Sequence, residues 1–305
     1  MKKKVENNGR TKSILLIFLS VIIILFLILP LLFSIFDGAK LGNVALISLE
    51  GIVTTNGAST LSSDSISSET IVRFIEEAEK NSQIKAIVIQ INSPGGTPVA
   101  TDEVATAIQK AQKPVITLIR EIGASGGYWI ASSTDYIIAN KMSMTGSIGV
   151  ISSYLEFSGL MEKYGVGYER LVAGENKDMG IPYKQLTTKQ KALLQTQLDK
   201  MHSYFISEVA KNRNLPEEEV RKLATGEVYL GSEALDLGLI DQLGNIDTVK
   251  QHLTEKYGLE EINFVVYQQE SSLIDLLTGL TSQFSFKIGE GLGASLQQKD
   301  NTVLI

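Results

Sequence analysis

The chain of 305 residues contains no cysteine and only two histidines, His202 and His252. The missing cysteine excludes thiol nucleophiles, disulfides and cysteine-ligated metal sites. Both histidines fall in helical patterns without a glycine turn or a carboxylate arranged around them, so we interpret both as surface or boundary residues. Any nucleophilic site in this chain must therefore take its base from another residue type. A desolvated lysine is the best-attested substitute.

The sequence also lacks the motifs typical of phosphate, metal and nucleic-acid binding. The sequence has no glycine-rich phosphate loop ending in Lys-Ser or Lys-Thr and no cluster of metal-ligating residues, so we expect neither a cofactor nor a metal. The net charge is −6, and no basic run follows the first 13 residues. An acidic chain of this kind offers no electrostatic footprint for nucleic acid, so we expect no nucleic-acid partner.

One long hydrophobic run stands near the N-terminus. Residues 14–36 carry no charge across 23 positions, which is long enough to span a bilayer and too long for a cleavable signal. The preceding residues 1–13 hold five basic side chains and one glutamate, a net charge of +4. The positive-inside rule therefore predicts a cytoplasmic basic tail (1–13), a single transmembrane signal anchor (14–36) and an extracytoplasmic remainder in the cell membrane.

The part after the anchor shows alternating strand and helix patterns. Strands are predicted at 44–49, 84–91, 115–119, 136–139 and 168–172, with helices at 69–80, 99–112, 125–132 and 155–164. A further helix is predicted to start near Thr187. This alternation is typical of an α/β domain with a largely parallel sheet, which we assign to residues 37–262. Residues 263–305 form a C-terminal extension, either amphipathic near 272–280 or loosely ordered.

Ser125 lies where a nucleophile would be presented. It stands within Gly-Ala-Ser-Gly-Gly-Tyr-Trp-Ile at 123–130, a small-residue turn between an apolar strand pattern and a helical one. Free backbone N–H groups at a helix start favour negative charge, and acyl transfer develops both an alkoxide and an oxyanion. Ser125 is therefore the candidate nucleophile.

Lys177 is the lysine that stands out by its setting. Most other lysines lie on polar helix faces, whereas Lys177 lies in a glycine-bounded loop, Gly-Glu-Asn-Lys-Asp-Met-Gly-Ile-Pro at 174–182. By itself this position fits an ordinary exposed loop lysine as well as it fits a catalytic base. The free ammonium has a pKa of about 10.4, so a lysine acting as a base near neutral pH requires burial.

Five ordered motifs carry a family resemblance. They are Ser-Pro-Gly-Gly at 93–96, the Ser125 turn, Thr-Gly-Ser-Ile-Gly-Val at 145–150, the Lys177 loop and Gly-Leu-Ile-Asp-Gln-Leu-Gly at 238–244. Together they resemble the signal peptide peptidase A, or protease IV, family of Ser/Lys serine proteases in its single-repeat form. The resemblance covers residues 42–257 and implies the α/β fold shared by Clp protease and the crotonases.

The resemblance also implies roles for individual residues. Ser125 would be the nucleophile and Lys177 the general base. The N–H groups of Gly96 and Gly126 would form the oxyanion hole, and the Ser147 hydroxyl would hold the lysine amine, although a plain turn hydroxyl remains an alternative. The substrates would be peptides, such as signal peptides left in the bilayer after cleavage. The half-length form would act as a homo-oligomer with active sites completed between subunits.

Two other readings remain open at this point. One is a related membrane Ser/Lys protease that cuts stomatin-like or other membrane proteins. The other, from a different class, is a crotonase-like acyl-CoA enzyme or a non-catalytic membrane scaffold. The predicted outward topology argues against acyl-CoA chemistry, because acyl-CoA is cytoplasmic. The presence of both Ser125 and Lys177 in their motifs argues against a silent scaffold.

Overall fold

The computed structural model describes residues 16–24, 42–57 and 65–268. The chain divides into two compact units, 1–266 and 267–305, and only residues 267 and 268 of the second are described. Residues 16–24 of the predicted anchor are helical and exposed. The rest of that anchor, the basic tail and residues 269–305 lie outside the described residues. Across the described ranges, no helix has the length and apolarity needed to cross a membrane.

Parallel strands dominate the core, as the alternating pattern predicts. The described strands are β1 (Val44–Glu50), β2 (Ile52–Thr54), β3 (Ser65–Ser67), β4 (Ala86–Ser93), β5 (Val115–Ala124), β6 (Tyr136–Ala139), β7 (Met144–Gly146), β8 (Val228–Leu230), β9 (Gln242–Leu243) and β10 (Phe264–Tyr267). The main sheet runs in the order β10-β1-β4-β5-β6-β9. Strand β7 pairs in parallel with the end of β5 and antiparallel with β8. Strands β2 and β3 form a separate parallel pair.

Helices cover both faces of this sheet. The described helices beyond residue 42 are α1 (Ser68–Lys80), α2 (Pro98–Lys110), α3 (Gly126–Ser132), α4 (Ser158–Lys163), α5 (Thr188–Arg213), α6 (Glu217–Leu223), α7 (Gly231–Asp236) and α8 (Ile246–Tyr257). On one face, Val249 and Leu253 of α8 pack against alternate residues of β4 and β5. Helices α1, α2, α3 and α5 contact one another in series. The intervening residues Ile87 and Ile89 are also fully buried, as strands covered on both faces require.

The long helix α5 begins where the sequence predicts. The Thr187 hydroxyl accepts a hydrogen bond from the Gln190 N–H at 3.2 Å, and the Gln190 side-chain oxygen accepts one from the Thr187 N–H. This reciprocal arrangement satisfies two N–H groups that the first helical turn would otherwise leave unpaired. The α/β class and its predominantly parallel sheet are confirmed.

The predicted strand at 168–172 is wrong. No strand forms at these residues, which belong to a segment, 150–187, that we call the arm. Every residue of the arm is exposed or half-buried. An alternating pattern makes a strand only where a neighbouring backbone offers a ladder of hydrogen bonds, and the described residues offer none here. The helix predicted at 155–164 is also shorter and spans only Ser158–Lys163.

Candidate active site

Three of the predicted site residues follow directly after neighbouring parallel strands. Gly96 lies just beyond β4, Ser125 follows β5, and Ser147 follows β7. The register sets Ser93 opposite Gly123 and Ala124 opposite Gly146, so all three strands end at one edge. Ligand sites in open parallel sheets form at this carboxyl edge. The fold therefore brings together residues that stand far apart in the sequence.

Ser125 has an unusual backbone conformation. Its φ of 53° and ψ of −123° are strained for a residue with a Cβ, and the adjacent strand holds this geometry. The Ser125 N–H donates to the Gly146 carbonyl at 2.9 Å, while the Ser125 carbonyl accepts from the Tyr128 and Trp129 N–H groups. Such outliers concentrate at functional sites, so the conformation supports a special role for this serine.

The Gly96 and Gly126 N–H groups lie beside Ser125. Neither donates a hydrogen bond to any described residue, and Gly126 occupies the first helical position, where an N–H has no intrahelical acceptor. The segment holding Gly96 is fixed by Val53: the Val53 N–H donates to the Gly95 carbonyl at 2.9 Å, and the Thr97 N–H donates to the Val53 carbonyl at 2.9 Å.

Both positions require glycine. A Cβ added to Gly96 would collide with the Val53 carbonyl, and one added to Gly126 would collide with the Thr101 hydroxyl. The same point on Gly126 lies 3.0 Å from the Gly96 nitrogen. Two free N–H donors therefore lie close together beside Ser125, which is the arrangement that stabilises an oxyanion.

Ser147 also has a positive φ, 51°. Its N–H donates to the Glu227 carbonyl at 2.7 Å, and its hydroxyl makes a long contact of 3.4 Å with the Gly226 carbonyl. Because this contact is long, the Ser147 hydroxyl is available to form a shorter hydrogen bond with another group.

These groups share one cavity of about 340 Å³. Ser125, Gly96, Gly126 and Ser147 contribute its polar side. Apolar residues complete the lining: Pro94, Pro98, Trp129, Val150, Ile151, Met201 and Phe205. Trp129 stacks on Phe205 with ring centroids 5.0 Å apart, which fixes one wall. A serine and two N–H donors beside an apolar cavity can attack and hold the carbonyl of a hydrophobic peptide.

Lys177 does not line this cavity within the single chain. It lies in the arm and is exposed, and its N–H donates to the Gly174 carbonyl at 3.1 Å. The structure thus brings together four of the five predicted site residues. The fifth, Lys177, is exposed on the surface.

The loop that carries Lys177 is nevertheless braced. The Asp178 carboxylate accepts hydrogen bonds from Arg170 at 2.6 Å and from Lys184 at 2.8 Å. These bonds hold the pKa of Asp178 well below its ordinary range, with the Arg170 bond contributing most. On the other side, Gln190 of α5 donates to the Asn176 side chain at 3.3 Å. The residues on both sides of Lys177 are therefore held by side-chain hydrogen bonds.

The two histidines lie outside the cavity lining. A ring nitrogen of His202 is 3.3 Å from the Ile148 carbonyl, and its neighbours on α5, Met201 and Phe205, reach the cavity instead. His252 stacks on Tyr136 with ring centroids 3.8 Å apart, and burial lowers the pKa of its imidazole. These positions agree with the interpretation of both as boundary residues.

Two residues of the lining that carry polar side-chain atoms, Thr101 and Trp129, were given no role from the sequence. Thr101 lies one helical turn after the Ser-Pro-Gly-Gly motif, and Trp129, the only tryptophan, lies one turn after Ser125. Both have a buried polar atom without a hydrogen-bond partner among the described residues, Thr101 Oγ1 and Trp129 Nε1. Their distance from the two motifs, one turn of helix, was the available signal.

A parallel α/β sheet with a strained serine beside two free N–H groups defines the class of Clp-like serine hydrolases. The sequence profile of peptidase family S49 matches residues 107–260, just over half of the chain, and that of Clp protease matches residues 54–148. The chain belongs to peptidase family S49, and it is a serine protease. The resemblance carried by the five motifs is confirmed.

Individual relatives agree with this assignment. A "putative protease" of Methanocaldococcus jannaschii is 31% identical over 74% of this chain and 72% of its own length. A "putative signal peptide peptidase SppA" of Enterococcus faecium is 29% identical over 88% of this chain and 78% of its own length. Protease 4 of Haemophilus influenzae is 33% identical over 67% of this chain but only 33% of its own length.

Proposed function

We propose that this protein is a membrane-anchored Ser/Lys endopeptidase that degrades signal peptides remaining in the membrane. Ser125 is the nucleophile, Lys177 the general base, and the Gly96 and Gly126 N–H groups form the oxyanion hole. The observation that carries the proposal is the convergence of Ser125, both free N–H groups and Ser147 on one cavity. Membership of family S49 supports the same chemistry.

The proposed reaction uses these residues in the following steps. The neutral Lys177 amine takes the proton of the Ser125 hydroxyl as Oγ attacks the peptide carbonyl carbon. The carbonyl oxygen becomes an oxyanion held by the Gly96 and Gly126 N–H groups. When the C–N bond breaks, Lys177 returns the proton to the leaving amine, which leaves an acyl-enzyme on Ser125. Lys177 then activates a water that hydrolyses the ester. Ser147 orients the amine through its weakly held hydroxyl.

The base reaches Ser125 from a neighbouring chain. Lys177 is exposed on the arm, whose large apolar side chains include Ile151, 90% exposed, and Leu171, 99% exposed. At Gly159, Gly165, Gly167 and Gly180 of the arm, an added Cβ would have no atom within 4 Å. A projecting segment with this much exposed apolar surface favours burial against another subunit. That contact would also supply the desolvation that a lysine base needs.

The apolar cavity and the predicted anchor fit the same substrate class. The walls formed by Trp129, Met201 and Phe205 favour apolar peptide segments, which is the character of signal-peptide cores. An N-terminal anchor at 14–36, with a cytoplasmic N-terminus, would hold the catalytic domain at the outer membrane surface. Peptides released into the bilayer would then lie within reach of the cavity.

The bracing of the Lys177 loop yields a prediction. Asp178→Asn removes the charge that Arg170 and Lys184 bind, so the loop loosens and kcat is expected to fall about 10- to 100-fold, as misplaced catalytic groups do. Because the pKa of Asp178 is lowered, the brace is intact at neutral pH and is lost only as the pH falls through that lowered value.

Steady-state kinetics at neutral pH and limited proteolysis of the loop measure the effect. Glu217→Gln removes an exposed ion pair with Arg221 on α6 and is the matched control. A variant Asp178→Asn with unchanged kcat and proteolysis would show that the brace has no part in presenting Lys177.

The substrate class is tested in membranes. Cells that produce the full-length Ser125→Ala variant should accumulate peptides from the cleaved signal sequences of secreted proteins, and cells with the parent chain should not. Mass spectrometry of washed membranes identifies the peptides. Accumulation of intact stomatin-like or other membrane proteins, without signal peptides, would favour the related protease class instead.

A further inference from the structure

The Thr101 hydroxyl is buried without a partner beside the proposed oxyanion hole. Thr101 lies in the first turn of α2 and is 1% exposed. No described residue accepts from or donates to its Oγ1. Burying a hydroxyl without a hydrogen bond is destabilising, so native proteins rarely keep one unless it has a further use.

Two other hydroxyls on helices of this protein find an acceptor within their own helix. Thr196 donates to the Ala192 carbonyl at 2.9 Å, and Ser203 donates to the Asp199 carbonyl at 2.8 Å, each one turn back on its own helix. The Thr101 N–H does bond the Thr97 carbonyl at 3.0 Å, but the Thr101 hydroxyl does not. It is directed at Gly126 instead.

The Thr101 hydroxyl points to the position where the two proposed oxyanion donors, Gly96 and Gly126, come together. A Cβ on Gly126 would collide with Thr101 Oγ1 and lie 3.0 Å from the Gly96 nitrogen, so the hydroxyl and both glycines share one corner. Thr101 is also part of the cavity lining that contains Ser125. The hydroxyl hydrogen rotates about the Cβ–Oγ1 bond, so it can turn toward an acceptor that arrives there.

We propose that the Thr101 hydroxyl is a third hydrogen-bond donor to the oxyanion, which makes Thr101 a further catalytic residue. This inference rests on the proposed roles of Ser125, Gly96 and Gly126. A carbonyl oxygen has two lone pairs, which the two N–H groups satisfy, whereas the tetrahedral oxyanion has three. The third donor is therefore used only once charge develops, and it acts on kcat rather than on KM.

Two substitutions separate the hydroxyl from the volume of the side chain. In the full-length protein, Thr101→Val keeps the shape and loses the hydroxyl, and Thr101→Ser keeps the hydroxyl and loses a methyl group. We expect Thr101→Val to lower kcat at least about tenfold with KM within twofold, less than the ~10²–10³-fold loss for a principal oxyanion donor. Thr101→Ser should recover kcat to within about threefold of the parent.

A transition-state analogue gives the second measurement. A peptide aldehyde forms a hemiacetal with the nucleophile and presents an oxyanion, so its inhibition constant should weaken in Thr101→Val by the same factor as kcat/KM. A packing role predicts the opposite order, with Thr101→Ser impaired and Thr101→Val active. That order, or an unchanged inhibition constant in an impaired Thr101→Val, overturns the proposal.

The direction of the change in Tm tests whether the Thr101 hydroxyl is unpartnered in the free protein. Removing an unpartnered buried hydroxyl should raise the Tm of Thr101→Val by about 2–4 °C. Thr134 is the matched control, because its buried hydroxyl bonds the Ala131 carbonyl at 2.8 Å and Thr117 at 3.1 Å. Thr134→Val should lower the Tm by a similar amount. A lower Tm for Thr101→Val means that its hydroxyl is already paired, which contradicts the proposal. If Ser125→Ala remains active, the proposed function itself fails, whatever Thr101 does.

Discussion

Replacing Ser125 with alanine is expected to lower peptide hydrolysis by roughly 10⁴-fold or more, the size of loss typical for a catalytic nucleophile. Alanine keeps the Cβ, so the strained backbone at φ 53° and its bond to the Gly146 carbonyl are preserved. No described residue hydrogen-bonds the Ser125 hydroxyl, so its loss leaves no partner unpaired. Activity should therefore disappear without a loss of stability.

Two measurements examine this expectation on the full-length protein. Hydrolysis of a hydrophobic peptide gives the rate, and a phosphonate that labels activated serines gives the site by mass spectrometry. Ser203→Ala is the matched control, because Ser203 is an exposed serine on α5 whose hydroxyl bonds only its own helix. Labelling at a serine other than Ser125, or turnover by Ser125→Ala at the parent rate, ends the assignment.

The sheet could be predicted because its strands are long apolar runs. Residues 136–139 were predicted and form β6, and the runs at β1, β4 and β5 were located with ends that differ by at most five residues. The pairs β2–β3 and β7–β8 were not predicted, because strands of three residues carry too little pattern and form only where the tertiary fold brings a neighbour. The strand wrongly predicted at 168–172 is the converse case, because its sequence pattern is typical of a strand but no described strand lies beside it.

The site was predictable to the extent that local motifs encode it. Ser125 was identified from its glycine-rich turn, and the resemblance implied the roles of Gly96 and Gly126. The parallel register then explains why the two turns meet. Thr101 was missed because its distance from the Ser-Pro-Gly-Gly motif is a weak signal, and the role of its hydroxyl depends on the glycine it faces. Sequence spacing does not distinguish contacts within a chain from contacts between chains, so only the resemblance to half-length family members implied that Lys177 stands apart from the cavity of its own chain.

Mixing two inactive variants should restore activity. Lys177→Ala and Lys177→Arg are both expected to be as impaired as Ser125→Ala, because guanidinium stays protonated and cannot accept the serine proton. In an assembly where Lys177 of one chain serves Ser125 of the next, a one-to-one mixture of Ser125→Ala and Lys177→Ala chains contains about one quarter intact sites. If each chain completed its own site, the mixture would contain none.

A second mixture checks the same geometry from the opposite direction. Parent chains are combined one-to-one with the double variant Ser125→Ala/Lys177→Ala, after subunit exchange has been verified with differently tagged chains. Sites shared between chains predict about one quarter of the parent activity, and sites within chains predict about one half. The two mixtures must agree, because the same contact determines both. Recovery near zero in the first with one half in the second would show that the arm folds back onto its own cavity. Lys177 would then reach Ser125 by a movement of the arm, and the exposed apolar residues of the arm would need another explanation.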